Sequence, residues 1–175
     1  MKNEPMNTQT AAARRTAKAQ VRGLITKFAP AQQRLVGAMR RWLRKRLPTA
    51  HAVVYEYRDC FGISYSPSER GYEGVFAIRG GADGVRLYFN RGKGLPDPEK
   101  LLQGSANLVR WIPVESVSTL AHPAVVKLFD EALARNREPF ARTGRGPVVM
   151  RPVSGKPSRG RQTPKRAVKR DIKSA

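Results

Sequence analysis

The chain has 175 residues and a formal net charge of +21, from 34 Lys and Arg against 13 Asp and Glu, with 40% hydrophobic residues and one cysteine. That length suits a single domain with polar ends, because domains of about 100 to 150 residues are the commonest size. A lone Cys60 excludes an intramolecular disulfide and points to a reducing, cytoplasmic setting; no stretch approaches the ~20 apolar residues of a membrane span, and the N-terminus lacks the apolar run of a secretory signal.

Residues 1–21 are rich in Asn, Thr, Gln, Ala, Lys and Arg. They offer few large apolar groups to offset the entropy of ordering, so this basic segment is expected to be disordered, with at most a frayed helix after residue 10. Val21, Leu24, Ile25 and Phe28 then form an apolar turn that opens the domain. Pro30 is placed to start a helix and Pro48 to stop it, and between them Leu35, Met39, Trp42 or Leu43, and Leu47 recur at helical spacing. The opposite face carries Arg34, Arg40, Arg41, Arg44, Lys45 and Arg46, which suits either a solvated helix surface or a grip on phosphates.

After Pro48 the apolar period changes to two. Val53, Tyr55 and Tyr57 alternate with Val54, Glu56 and Arg58, and Phe61, Ile63 and Tyr65 alternate with Cys60, Gly62 and Ser64, which predicts two half-buried strands. Ser66 to Gly71 reads as a turn. Residues 74–79 and 85–90 predict two more strands, joined through Gly80, Gly81, Ala82, Asp83 and Gly84, whose glycines supply the backbone freedom of a hairpin. Arg91-Gly92-Lys93-Gly94 follows as a loop, and Asp97, Pro98 and Glu99 predict the N-cap and first turn of a short helix over 98–103, ending at Gly104. A strand over 108–114 returns, with Pro113 marking a sheet edge or strand end. Residues 123–137 place Val125 or Val126, Leu128, Phe129, Ala132 and Leu133 on one face of a closing helix.

Beyond Pro139, glycines and prolines punctuate basic and small polar residues, so 139–175 reads as a disordered basic tail. Val148, Val149 and Met150 are its one apolar knot, either docked on the domain or part of a linker. The predicted organisation is therefore a basic N-terminal segment 1–21, a domain 22–138 and a tail 139–175. Its fold class is α+β: an antiparallel sheet of about five strands with N-terminal and C-terminal helices packed on it. On that division, removing residues 142–175 leaves the core folded.

The order of elements, and above all the apolar strand ending in Phe89, the Arg91-Gly92 turn, Leu95-Pro96-Asp97-Pro98, Leu101 to Gly104 and the strand containing Arg110, resembles the YdhG-like family, also called domain of unknown function 1801. The resemblance covers roughly residues 22–137. It implies a two-layer α+β domain and little chemistry, except that one branch is similar to frataxin-like iron chaperones. Iron delivery rests on exposed carboxylates, whereas Glu56, Asp59, Glu69, Glu73 and Asp83 are scattered here without a helical array.

No catalytic constellation is visible, and no cofactor or metal ligand set is expected. His51 and His122 lack partners at ligand spacing, Cys60 reads as a buried, inert thiol, and the nucleophile elbow of serine hydrolases is missing. Arg91, Gly92, Lys93 and Gly94 resemble an anion-binding loop only weakly, because no phosphate-loop ending follows. A small-ligand pocket, if present, is expected where this loop meets Tyr55, Arg110 and Trp111. In the tail, Pro157-Ser158-Arg159-Gly160-Arg161-Gln162 resembles the core of an AT-hook, with Gln162 standing where proline is usual. Together with Lys165, Arg166, Lys169 and Arg170 it is a candidate for non-specific DNA or RNA contact.

Charge supports that partner. Residues 1–29 carry +5, residues 30–141 carry +6 and residues 142–175 carry +10, a density at the ends that draws polyanions through counterion release. Arg outnumbers Lys 23 to 11, and a coding bias toward Arg explains the same charge without a ligand. The expected function is a non-enzymatic, cytoplasmic binding module for a small ligand or protein, with cationic tails for nucleic acid. A frataxin-like iron chaperone and an enzyme with an unrecognised pocket are the alternatives.

Overall fold

Pro30 and Pro123 each sit in the first turn of a helix, where a missing N–H costs no intrahelical bond. Around them the computed structural model, which describes residues 10–152, builds four α-helices and six strands among those residues. In chain order these are α1 (Ala11–Ile25), α2 (Pro30–Arg46), β1 (His51–Glu56), β2 (Cys60–Ser66), β3 (Phe76–Gly81), β4 (Gly84–Phe89), β5 (Arg110–Pro113), α3 (Val117–Ala121), α4 (Pro123–Ala134) and β6 (Val148–Pro152), with one 3-10 turn over Gly71–Glu73.

The strands form one sheet in the order β5-β4-β3-β2-β1-β6. Neighbours from β1 to β5 pair antiparallel, which the short connections from β1 to β4 require, while β6 lies parallel to β1 with Val53 opposite Val149. The sheet is therefore mixed and six-stranded rather than antiparallel with about five strands. The difference comes from the Val148–Met150 knot, which docks as an edge strand instead of trailing in a linker. Its entry is tied by backbone bonds from Gly146 N–H to the Pro48 carbonyl (3.0 Å) and from Ala52 N–H to the Pro147 carbonyl (2.9 Å).

Side chains alternate across the strands. Val54, Ile63, Ile78 and Leu87 face the helices and are 1% exposed or less. Phe129 of α4 stacks on Phe76 of β3 at 4.2 Å and meets Trp42 of α2 edge-on at 4.8 Å, so an aromatic column locks α2 and α4 to the middle of the sheet. Phe28, in the turn between α1 and α2, packs edge-on against Phe61 at 5.3 Å.

Two further expectations differ from what is observed. Residues 11–21 belong to α1, capped by the Thr10 hydroxyl, which accepts from Ala13 N–H at 3.2 Å. Small Ala17 lets this Arg-rich helix approach the core, and Val21, Leu24 and Ile25 are buried behind it. Residues 98–103 do not form a helix. The Asp97 carboxylate accepts from Leu101 N–H (2.9 Å) and Leu102 N–H (2.7 Å), Lys100 turns into the left-handed region at φ 56, and Gln103 is delivered to pair with Trp111 beside the sheet edge. The aspartate thus organises a loop with the same donors it would have capped. Pro113 does end an edge strand, with β5 outermost.

Candidate polyanion cleft

Cations separated by one helical turn share a face. On α1 this brings Arg14 and Lys18 together, and on α2 it stacks Arg40 with Arg44 and Arg41 with Lys45. These two faces and Arg145, just before β6, enclose a cleft of about 590 Å³ floored by Ala52, Tyr65 and Val148. Seven cationic side chains line it and no carboxylate does. None of the seven joins an ion pair among the described residues. Gly37 sits one turn ahead of Arg41, and a Cβ there would meet only the Arg41 guanidinium at 3.5 Å, so the stripe stays open at its N-terminal end.

Arg44 fixes the geometry. It donates to the carbonyls of Pro48 (3.1 Å), Ala50 (3.0 Å) and Gly146 (3.2 Å), clamping the end of α2 to the entry of β6. Burial lowers its pKa, the Tyr65 side chain opposes that fall, and the charges of Arg145 and Arg40 lower it further. Burial likewise pushes the Tyr65 hydroxyl up to about 12 against the opposing pull of Arg40 and Arg44, and Arg40 hydrogen-bonds the phenol. The floor is therefore a neutral phenol below a ring of cations. Gly146 makes the closure possible: a Cβ there would lie 1.9 Å from the Ala50 carbonyl oxygen and 2.5 Å from that of Thr49, so only glycine allows β6 this close.

Without a carboxylate, histidine, cysteine or serine among the lining residues, the cleft offers electrostatic holding. Guanidinium groups hold phosphate oxygens through paired, charge-assisted hydrogen bonds, and converging cations gain most from a ligand with several negative charges. A second cleft, of about 370 Å³ beside β5, mixes Asp83, Arg86 and Glu115 with apolar groups and has no such bias.

The five residues expected around a small-ligand pocket are not brought to one place. Arg91 and Lys93 are exposed at the end of β4, where Lys93 N–H bonds the Leu108 carbonyl. Arg110 lies beside them but turns inward on its own loop, donating to the carbonyls of Ala106 (2.6 Å) and Val109 (2.7 Å). A Cβ on Gly92 would sit 2.6 Å from Arg110 Cβ, so this glycine serves close backbone packing. Trp111 stacks with Tyr88 at 6.4 Å under the Arg86 guanidinium, and Tyr55 stands on β1, with β2, β3 and β4 between them. Arg159, Gly160, Arg161, Lys165, Arg166, Lys169 and Arg170 lie outside the described residues.

The carboxylates weighed for iron are mostly engaged: Glu56 pairs with Lys27, Glu73 with Ser68 and Arg70, Asp83 with Arg86 at 2.7 Å and Glu69 with Arg151 at 3.9 Å. Cys60 is half-buried at the start of β2. The helix stripe of Arg40, Arg41, Arg44 and Lys45 was legible as a cluster, but its partners Arg14, Lys18 and Arg145 were not, because only the docking of α1 and β6 joins them to it. Among the described residues no helix is long and apolar enough to cross a membrane. Compared with known protein families, curated proteins and solved structures, the chain finds no significant match in any of the three.

Proposed function

We propose that this protein is a non-enzymatic nucleic-acid-binding module, holding backbone phosphates in the cleft between α1, α2 and β6 while its basic ends add non-specific affinity. The observation that carries this reading is the convergence of seven cations with no carboxylate in one cleft. Phosphate contacts of this kind release condensed counterions and make affinity fall with salt. A cytoplasmic site of action suits the single free Cys60, and membership of the YdhG-like family remains part of the proposal, resting on residues 90–112. Binding of a labelled DNA duplex across a salt series tests the reading, comparing the full chain with a Lys18→Gln, Arg41→Gln, Lys45→Gln variant. These three side chains are exposed, so the fold is not at stake. Weaker, less salt-dependent binding supports the cleft, and unchanged binding refutes it.

A further inference from the structure

The four α-helices pack on one face of the sheet; the other face is crossed at β2 by the 67–74 turn, whose Arg70 and Gly71 carbonyls accept from Ser66 and Ser64, and exposed groups stand beside that turn. Register places Arg151, Tyr55, Gly62, Arg79 and Arg86 in one row across β6, β1, β2, β3 and β4. Arg79 stands directly opposite Arg86, which puts two cations side by side on this face. Asp83 neutralises Arg86 and Glu69 lies 3.9 Å from Arg151, whereas Arg79 is exposed and joins no ion pair among the described residues. Two aromatic pairs flank the row. Tyr55 and Tyr57 stack at 6.5 Å on the β1 side, with Tyr57 45% exposed, and Tyr88 and Trp111 stack at 6.4 Å on the β4–β5 side. Between them Gly62 and Ala77 are half-buried small residues, while Ser64 is buried under the 71–74 turn and donates to the Gly71 carbonyl at 2.9 Å. Tyr72, 79% exposed, extends from the neighbouring turn.

We infer that the uncovered part of this face binds the bases of an unpaired nucleic-acid strand, stacking them on the exposed Tyr57 and Tyr72 while Arg79 holds a phosphate. Exposed aromatic rings beside an arginine accept any base, because every base has a π-face, whereas duplex bases are already stacked and hidden. The inference rests on the nucleic-acid reading above and specifies its partner as single-stranded.

The test uses the full chain with a labelled oligothymidylate, a labelled oligouridylate, a duplex and heparin. Tyr57→Ala with Tyr72→Ala, and separately Arg79→Gln, alter exposed positions. Each is expected to weaken binding of the single strands, the tyrosine pair by at least about ten-fold, and to leave duplex and heparin binding within about two-fold. Equal losses on all four probes, no loss on the single strands, or sedimentation showing a dimer that hides Tyr57 and Tyr72 overturns the inference. If wild-type protein binds none of the probes, the broader polyanion reading has failed instead.

Discussion

Replacing Gly146 with alanine tests whether β6 belongs to the domain. The new methyl would lie 1.9 Å from the Ala50 carbonyl oxygen, 2.3 Å from its carbon and 2.5 Å from the Thr49 oxygen. All three are backbone atoms that no rotamer change can move, so the entry to β6 must retreat by roughly 1 Å or more to reach ordinary contact. That retreat breaks the Gly146 N–H bond to Pro48 (3.0 Å) and the Arg44 bond to the Gly146 carbonyl (3.2 Å). A neutral hydrogen bond contributes about 1 kcal/mol net and one from a charged donor about 2, so the expected loss is about 3 kcal/mol, rising if Ala52 also loses its partner. Gly144→Ala is the control, since φ is +95 there and nothing lies within 4 Å, so only left-handed strain of about 1–2 kcal/mol applies. Urea denaturation gives both values, with amide exchange at Ala52 reporting β6 docking. A Gly146→Ala midpoint no lower than that of Gly144→Ala refutes the close approach and, with it, the walls of the cleft.

Tyr65 gives a pH dependence of stability. Its folded pKa of about 12 exceeds the ordinary 10.0 because of burial, so the folded state keeps a proton that the unfolded chain releases. Its contribution is full below about pH 10 and declines toward about 12, a loss of about 2–3 kcal/mol that Tyr65→Phe is expected not to show when the two are compared by denaturation at increasing pH. Phe129→Ala removes the ring that joins Phe76 to Trp42, and thermal melts are expected to show a loss of about 3–5 kcal/mol; a loss under about 1 would mean that α4 is not locked to the sheet through this column.

The parts of the fold legible in the sequence are those whose signals are local. Pro30 and Pro48 bracket α2, alternation marks β1 to β4, and the glycines between Arg79 and Val85 mark the hairpin. The parts that escaped depend on distant partners. β6 has three apolar residues between Pro147 and Arg151 and becomes a strand only because β1 offers it an edge. α1 is poor in large apolar groups, and its order comes from packing Ala17, Val21, Leu24 and Ile25. Asp97 carried a true signal with two outcomes, since the donors it accepts suit a helix cap or a loop, and Lys100 at positive φ decides for the loop. The cleft was half legible for the same reason: one helix supplies four of its cations, while Arg14, Lys18 and Arg145 join only through tertiary docking. A cut at residue 142 would therefore remove both a cleft cation and an edge strand, so a test of the basic C-terminal segment must begin after Pro152.

On the proposed function, phosphates are held by the cleft cations and not by charge at the chain ends alone. The salt dependence of duplex binding tests it most directly, measured for a chain ending at Pro152 with and without the Lys18, Arg41 and Lys45 changes to glutamine. Each lost phosphate contact lowers the slope of log affinity against log salt by about 0.9, so the triple variant is expected to fall by about 3 units while keeping the unfolding midpoint of its parent. Equal slopes for the two shortened chains, or no binding by either, would contradict it.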